Sequence, residues 1–467
     1  MSFSLSNDNK IHFVSLGCPR NLVDSEVMLG ILLKAGYEVT PEVEAADYLV
    51  VNTCAFLEAS RQESKEVIQE LLDTKKPQAK LIVAGCMVSK HREDIERLFP
   101  GVHYLLGPGD VEGILKAVRD DTAGVAVGRT KSYLEAGEIP RQLSTPGHYA
   151  YLKIAEGCRK ACAYCIIPKL KGPLRSKTVE QIVKECRALL AQGIKEIILI
   201  AQDLGDYGKE QGKQGALTQL LETILEIPGD YWLRLLYLYP DEIDDKLIEL
   251  MQKDPRICPY LDMPIQHIND EILKQMKRHT DQKQIVSVIR KLRKVLPQVH
   301  IRTSLIVGFP GETEEQFEEL KRFIQEDPLD HIGIFAYSCE EGTVAAQLPN
   351  QVAEEIKHRR RDELAALQQE VSLKLNRQKI GQRFEVVVEG YHPESKFLLV
   401  GRHRGQAPEI DGLVILNDWK LVKAFGERYL VEITDASNYD LIGKVVKSLG
   451  AVRSEKPSKI AGRLNIL

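Results

Sequence analysis

Short apolar runs and amphipathic stretches alternate along most of the chain. Ile11–Leu16, Tyr48–Val51 and Leu81–Ala84 are apolar and rich in β-formers, and Gly, Asn or Thr follows each. Ser25–Ala35, Glu58–Leu72 and His91–Leu98 carry apolar residues at helical spacing. Strands that alternate with helices predict a parallel sheet with helices on its faces.

The pattern resumes farther on. Strands are predicted at Glu196–Ile200, Tyr231–Leu236, Tyr260–Met263, His300–Val307 and His331–Tyr337. Helices are predicted at Lys177–Gln192, Leu217–Ile227, Asp244–Lys253, Asp270–Met276, Gln282–Val295 and Thr313–Glu326. This is a (β/α) barrel pattern, whose sites lie at the carboxyl ends of the strands. A long charged helix, Glu354–Gln378, ends it. Beyond Gly381, strands at Phe384–Glu389, Phe397–Gly401, Gly412–Ile415 and Tyr429–Ile433 predict a small β-barrel.

Each of the first three strands is followed by a cysteine: Cys18, Cys54 and Cys86. In a parallel sheet those ends share one edge, so distant cysteines become neighbours. Three thiolates leave one position of an iron–sulfur cluster open. A fourth ligand such as His12 or His103 would make zinc an alternative.

The 467 residues suggest about three domains. No apolar run reaches the roughly 20 residues of a membrane span. Met1–Lys10 lacks the pattern of an export signal, so a cytoplasmic protein with no membrane partner is expected. Nine cysteines in such a compartment read as free thiols or metal ligands. Cys186, Cys258 and Cys339 stand apart and read as structural; His267 and His279 read as hydrogen-bonded or surface residues near the barrel mouth. The net charge of −4 argues against a basic nucleic-acid coat. The region from 381 onward carries only +2, with a local basic patch at Arg402, His403 and Arg404 and a basic tail over 451–467.

The most specific string is Cys158-Arg-Lys-Ala-Cys162-Ala-Tyr-Cys165, three soft thiolates on one short loop. It resembles the signature of radical S-adenosylmethionine enzymes, with Tyr164 at the aromatic position. The resemblance implies a [4Fe–4S] cluster on these cysteines and S-adenosylmethionine on its open iron. It also implies a partial six-stranded barrel. Gln202 and Asp203 would meet the cofactor's amino group, Arg302 and Ser304 its carboxylate and ribose, and Gly308 its adenine.

Over essentially its whole length the chain resembles the methylthiotransferases. That family joins a cysteine-bearing α/β domain, here 1–145, to a radical S-adenosylmethionine domain with a linker helix, 146–380, and a TRAM β-barrel with a tail, 381–467. The strings Val14–Glu26, Asn52–Leu57, Phe335–Thr343 and Ala407–Gly412 resemble the branch that modifies an aspartate of small-subunit ribosomal protein twelve. The resemblance implies a second [4Fe–4S] cluster on Cys18, Cys54 and Cys86, two S-adenosylmethionines per turnover and an external electron donor such as a flavodoxin. The substrate would be free or ribosome-bound, and the TRAM module would dock it, with a further RNA contact. No catalytic residue beyond the cluster ligands is implied. The alternative target is N6-prenylated adenosine in transfer RNA. Lys171 and Lys177 stand where arginine is expected, keeping charge but not bidentate geometry.

Overall fold

The computed structural model describes residues 9–128 and 140–450. The first sheet holds six parallel strands: β1 (Lys10–Ser15), β2 (Glu38–Val39), β3 (Tyr48–Thr53), β4 (Lys80–Gly85), β5 (Val102–Leu106) and β6 (Gly124–Ala126). Their order is β2-β1-β3-β4-β5-β6. Val14 pairs with Val51 and Val51 with Val83, so the carboxyl ends of β1, β3 and β4 line up. Side chains alternate between the two faces. Val14, Val51 and Val83 pack on helices α2 (Glu58–Thr74) and α3 (Cys86–Leu98). Phe13, Val50 and Ile82 pack on α1 (Pro19–Lys34) on the other face. Burial on both sides explains why these strands read as continuous apolar runs.

The central sheet is a partial barrel. β7 (Tyr149–Lys153) is followed by a two-stranded ribbon, β8 (Ala155–Glu156) and β9 (Arg175–Ser176). Then come β10 (Glu196–Ile200), β11 (Trp232–Leu235), β12 (Ile257–Asp262), β13 (His300–Val307) and β14 (His331–Ala336). The order β14-β13-β12-β11-β10-β7 leaves the sheet open between its first and last strands. Ile197, Leu199, Leu233, Leu235, Ile301 and Leu305 face the helices. Tyr149, Tyr151, Ile198, Ile200 and Tyr260 fill the interior.

The C-terminal strands β15 (Arg383–His392), β16 (Ser395–His403), β17 (Val414–Asp418), β18 (Arg428–Ala436) and β19 (Leu441–Ser448) close into a barrel. The helix Glu354–Arg377 joins it to the central sheet. At 24 residues that helix is about 36 Å long. Lys357 near its start packs on Gly308, just past β13, whereas Asn376 near its end donates to the carbonyls of Ser437 and Asn438.

The C-terminal barrel therefore sits at the amino-terminal ends of the central strands. Tyr149, which opens β7, donates to Glu409; Glu196, which opens β10, pairs with Arg402. Trp232 at the start of β11 lies under Arg404, and His331 at the start of β14 bonds the Gly405 carbonyl. Two of the three residues expected to form a basic patch are thus interior, and the third is tied to the central sheet. Arg402 and His403 are buried, and Arg404 donates to the carbonyl of Ile257.

Several strands escape the sequence reading. β5 and β7 are short, and β7 reads Tyr-Ala-Tyr-Leu-Lys, with a lysine that is buried only because acids surround it. β19 carries Gly443 and two lysines, yet it pairs with both β17 and β18 to close the barrel. Helix α3 begins at Cys86, and the predicted start at His91 is instead a kink. The first eight residues and the 451–467 tail, on which the export-signal and basic-tail readings fall, lie outside the described residues. No helix among the described residues is long and apolar enough to cross a membrane.

Candidate active site

Cys18 stands just before α1, Cys54 just after β3, and Cys86 opens α3. The strand register brings these ends together. A Cβ added at Gly17 would sit 2.8 Å from Cys54 Cβ and 3.1 Å from its sulfur, and the φ of +90° there also favours glycine. Two asparagines tie the loops. Asn21 donates to the carbonyls of Leu16 and Thr53, and its Oδ1 lies 3.6 Å from Cys86 Sγ. Asn52 donates to the Asn21 carbonyl and to Ser25 Oγ. Burial raises the Cys54 thiol and pushes Cys86 up to about 12. Burial raises Cys18 too, but Arg20 leads the opposing causes and the net shift is downward.

His12 and His103 are not fourth ligands. His12 bonds the Thr40 carbonyl and His103 that of Asp120, both away from the cysteine-bearing ends.

The second cysteine group follows the β8 strand. Backbone bonds fix its loop: Cys158 N–H donates to Gly172, Ala163 N–H to Met276 and Cys165 N–H to Cys162. Cys162 Sγ lies 3.6 Å from the Tyr239 hydroxyl. Burial raises Cys158 to about 11 and Cys165 to about 12. Arg278 stacks 3.8 Å over the Tyr239 ring and acts on Tyr164 and Cys162.

Helix α1 brings the two groups face to face at the carboxyl ends of the barrel strands. Arg20, in its first turn, donates to the Ala201 carbonyl at 2.7 Å, directly before Gln202 and Asp203. Its guanidinium lies 4.6 Å over the Tyr237 ring. It hydrogen-bonds Cys18, and its charge acts on Cys86 and on Cys165 as well. Behind the cysteines runs a buried ionic network. Lys171 lies 2.8 Å from Glu156 and 3.2 Å from Asp24, and Lys153 pairs with the same two acids. Lys177 meets Glu185 at 2.5 Å. The two unexpected lysines are thus committed within the chain.

The predicted S-adenosylmethionine residues divide. Tyr164, Gln202 and Asp203 lie at the cysteine end. Gln202 Oε1 is buried without a hydrogen-bond partner among the described residues. Asp203 is pushed up to about 7, chiefly by burial, with Asp206 and Glu242 adding and Lys160 opposing. Lys160, inside the cysteine loop, lies 3.5 Å from Asp203, 3.3 Å from Asp241 and 3.0 Å from Glu242. Arg302 and Ser304 face the barrel interior, but Arg302 is 3.1 Å from Asp262 and 3.4 Å from Asp411 of the C-terminal module. At Gly308 φ is +71°, a Cβ would strike Lys357, and the amide donates to Glu312. His267 is buried and accepts from the Asn269 amide. Cys186 and Cys258 are buried in the packed interior, and Cys339 is exposed.

The donor sets suit iron–sulfur clusters. Tetrahedral zinc would hold its sulfurs about 3.8 Å apart. Among the described residues, the trio with ligand atoms all within 4.8 Å is Asp203, Asp206 and Glu242; neither cysteine group is gathered that tightly. Three soft thiolates are the donors that a cluster with one open iron takes. The sequence reading missed Arg20, Asn21, Asn52, Lys160 and Arg278. Of these, all but Arg278 lay within strings it had singled out.

Fold and cysteine loop together define the radical S-adenosylmethionine class. Residues 152–324 match the Radical SAM superfamily, 10–107 match Uncharacterized protein family UPF0004, and 380–446 match the TRAM domain. The fold is similar to the radical S-adenosylmethionine methyltransferase TsrM from Kitasatospora setae. Its TM-score is 0.52 at 16% identity, over 70% of this chain and 75% of that one. The chain is 62% identical to ribosomal protein uS12 methylthiotransferase RimO of Protochlamydia amoebophila, over 94% of this chain and 93% of the relative. It is 56% identical to the enzyme of that name from Chlamydia caviae, over 95% and 97%, and 44% identical to that of Trichlorobacter lovleyi, over 94% and 98%. The chain belongs to the ribosomal protein uS12 methylthiotransferase family.

Proposed function

We propose that this chain methylthiolates the β carbon of an aspartate in small-subunit ribosomal protein uS12. The observation that carries the reading is the meeting of two separate three-cysteine groups at one end of a radical S-adenosylmethionine barrel. Near-full-length identity to enzymes named for that activity supports the choice of substrate.

Cys158, Cys162 and Cys165 would hold one [4Fe–4S] cluster, and Cys18, Cys54 and Cys86 a second. The clusters and S-adenosylmethionine supply the one-electron chemistry that functionalises an unactivated carbon, and the sulfur and methyl group to be transferred. The chain's part is to position and to shield. Gln202, with its unpartnered buried oxygen, and Asp203 would bind the cofactor's ammonium, and Asp203 would have to share its carboxylate with Lys160. Arg278 would meet the cofactor's carboxylate, a role that suits it better than the committed Arg302. Phe309, Met276 and Tyr337, buried beside Tyr164, exclude water from the cysteine loop. An external donor such as a flavodoxin would supply electrons. The units 1–145, 146–380 and 381–467 would act as two cofactor-bearing halves and a base.

The test is intact-mass analysis after reaction with anaerobically reconstituted enzyme. Ribosomal protein uS12 and unmodified or prenylated transfer RNA are offered side by side. A methylthio mass on the protein is expected; the same mass on the RNA alone would reject the substrate assignment.

A further inference from the structure

We infer that Arg20 reads the side-chain carboxylate of the substrate aspartate between the two cysteine groups. The inference rests on the proposed uS12 reading, since it needs an acidic target. The target carbon has to lie where both groups can act on it, and the attached carboxylate leaves water to get there. A carboxylate moved out of water needs charge-assisted partners.

The three lysines near the cysteines are committed. Lys153 and Lys171 pair with Asp24 and Glu156, and Lys160 with Asp203, Asp241 and Glu242. Arg278 is buried over Tyr239 and acts on Cys162 of the barrel group. Arg20 acts on both groups, is half-buried, and has no carboxylate partner among the described residues.

Its geometry suits recognition. A guanidinium carries five N–H donors in a fixed plane. A hydrogen bond to Cys18, one to the Ala201 carbonyl and the stack on Tyr237 fix that plane, leaving the remaining donors of the fork for a carboxylate. Tyr237 is itself held at φ +63°, with its amide donating to Asp262 Oδ2 at 3.2 Å. A non-glycine residue in that region marks a site whose surroundings over-determine it.

The experiment is a binding cycle with reconstituted holoenzyme and no reductant. Wild type, Arg20→Gln and Arg20→Lys are titrated with uS12 and with uS12 whose target aspartate is replaced by asparagine. Iron content per chain checks that each variant is folded and loaded. Wild type should prefer aspartate about tenfold to hundredfold, the range of a charged hydrogen bond. Arg20→Gln should bind both proteins alike, and Arg20→Lys should keep a reduced preference because the fork is lost. An unchanged preference in either variant, or none in wild type, overturns the inference. If wild type modifies the aspartate yet binds both proteins equally, the inference alone falls. If it modifies only transfer RNA, the substrate reading falls with it.

Discussion

Arg402 and Glu196 form an ion pair at 2.9 Å in which both side chains are almost wholly buried. The arginine belongs to the C-terminal barrel and the glutamate opens β10. Glu196 also accepts a bond from Arg234, and Arg402 donates one to Glu389. The C-terminal module thus stoppers the barrel at the end opposite the cysteines. It does not dock substrate through a basic hairpin there.

Breaking this pair should cost stability. Arg402→Ala leaves Glu196 short of a partner in the interior, a loss of about 3–5 kcal/mol. Denaturant unfolding of the apoprotein measures it. Deleting 381–467 should expose the barrel's amino-terminal end and lower soluble yield, so it will not act as a clean loss of substrate docking.

The two cysteine groups should be separable. Anaerobically reconstituted wild type is expected to carry about eight irons. Replacing Cys158, Cys162 and Cys165 by Ala should remove half and all S-adenosylmethionine cleavage. Replacing Cys18, Cys54 and Cys86 should also remove half but spare cleavage to 5′-deoxyadenosine. A methylthiolated product from the second variant would show those cysteines to be structural.

Gly17→Ala is a finer probe. The added methyl meets Cys54 and the backbone is at positive φ. Iron in the first group should fall, while the barrel group keeps its full content by Mössbauer or EPR spectroscopy.

Cluster uptake should release protons. Cys86, Cys158 and Cys165 are raised by burial to about 12, 11 and 12, so they are thiols at neutral pH in the empty fold. Metal binding requires thiolates. Iron incorporation is expected to rise from pH 7 to pH 9 and to acidify weakly buffered solutions. Uptake independent of pH would contradict the buried-thiol picture.

Asp203 gives a stability test with a definite sign. Its folded value of about 7 lies above the ordinary 3.8. The native state therefore holds a proton the unfolded state has lost, and stability falls as pH rises from about 4 to about 7. Asp203→Asn removes that dependence. The Tm advantage of the variant should grow across this window and level off above it.

Much of the site was legible in the chain because local spacing encodes it. The CxxxCxxC loop needs only eight consecutive residues, and Cys18, Cys54 and Cys86 each follow a recognisable strand. Alternating strands and helices imply the parallel sheets, since parallel strands require crossovers. Tertiary structure alone decided the long-range partners. Arg20 reaches Ala201 across 181 positions and Arg402 reaches Glu196 across 206. Whether a cation is a free recognition group, like Arg20, or a buried tie, like Arg402 and Lys171, depends on which acids the folded chain brings beside it. Both kinds look alike in a linear string, because charge is a property of the residue and pairing a property of the fold.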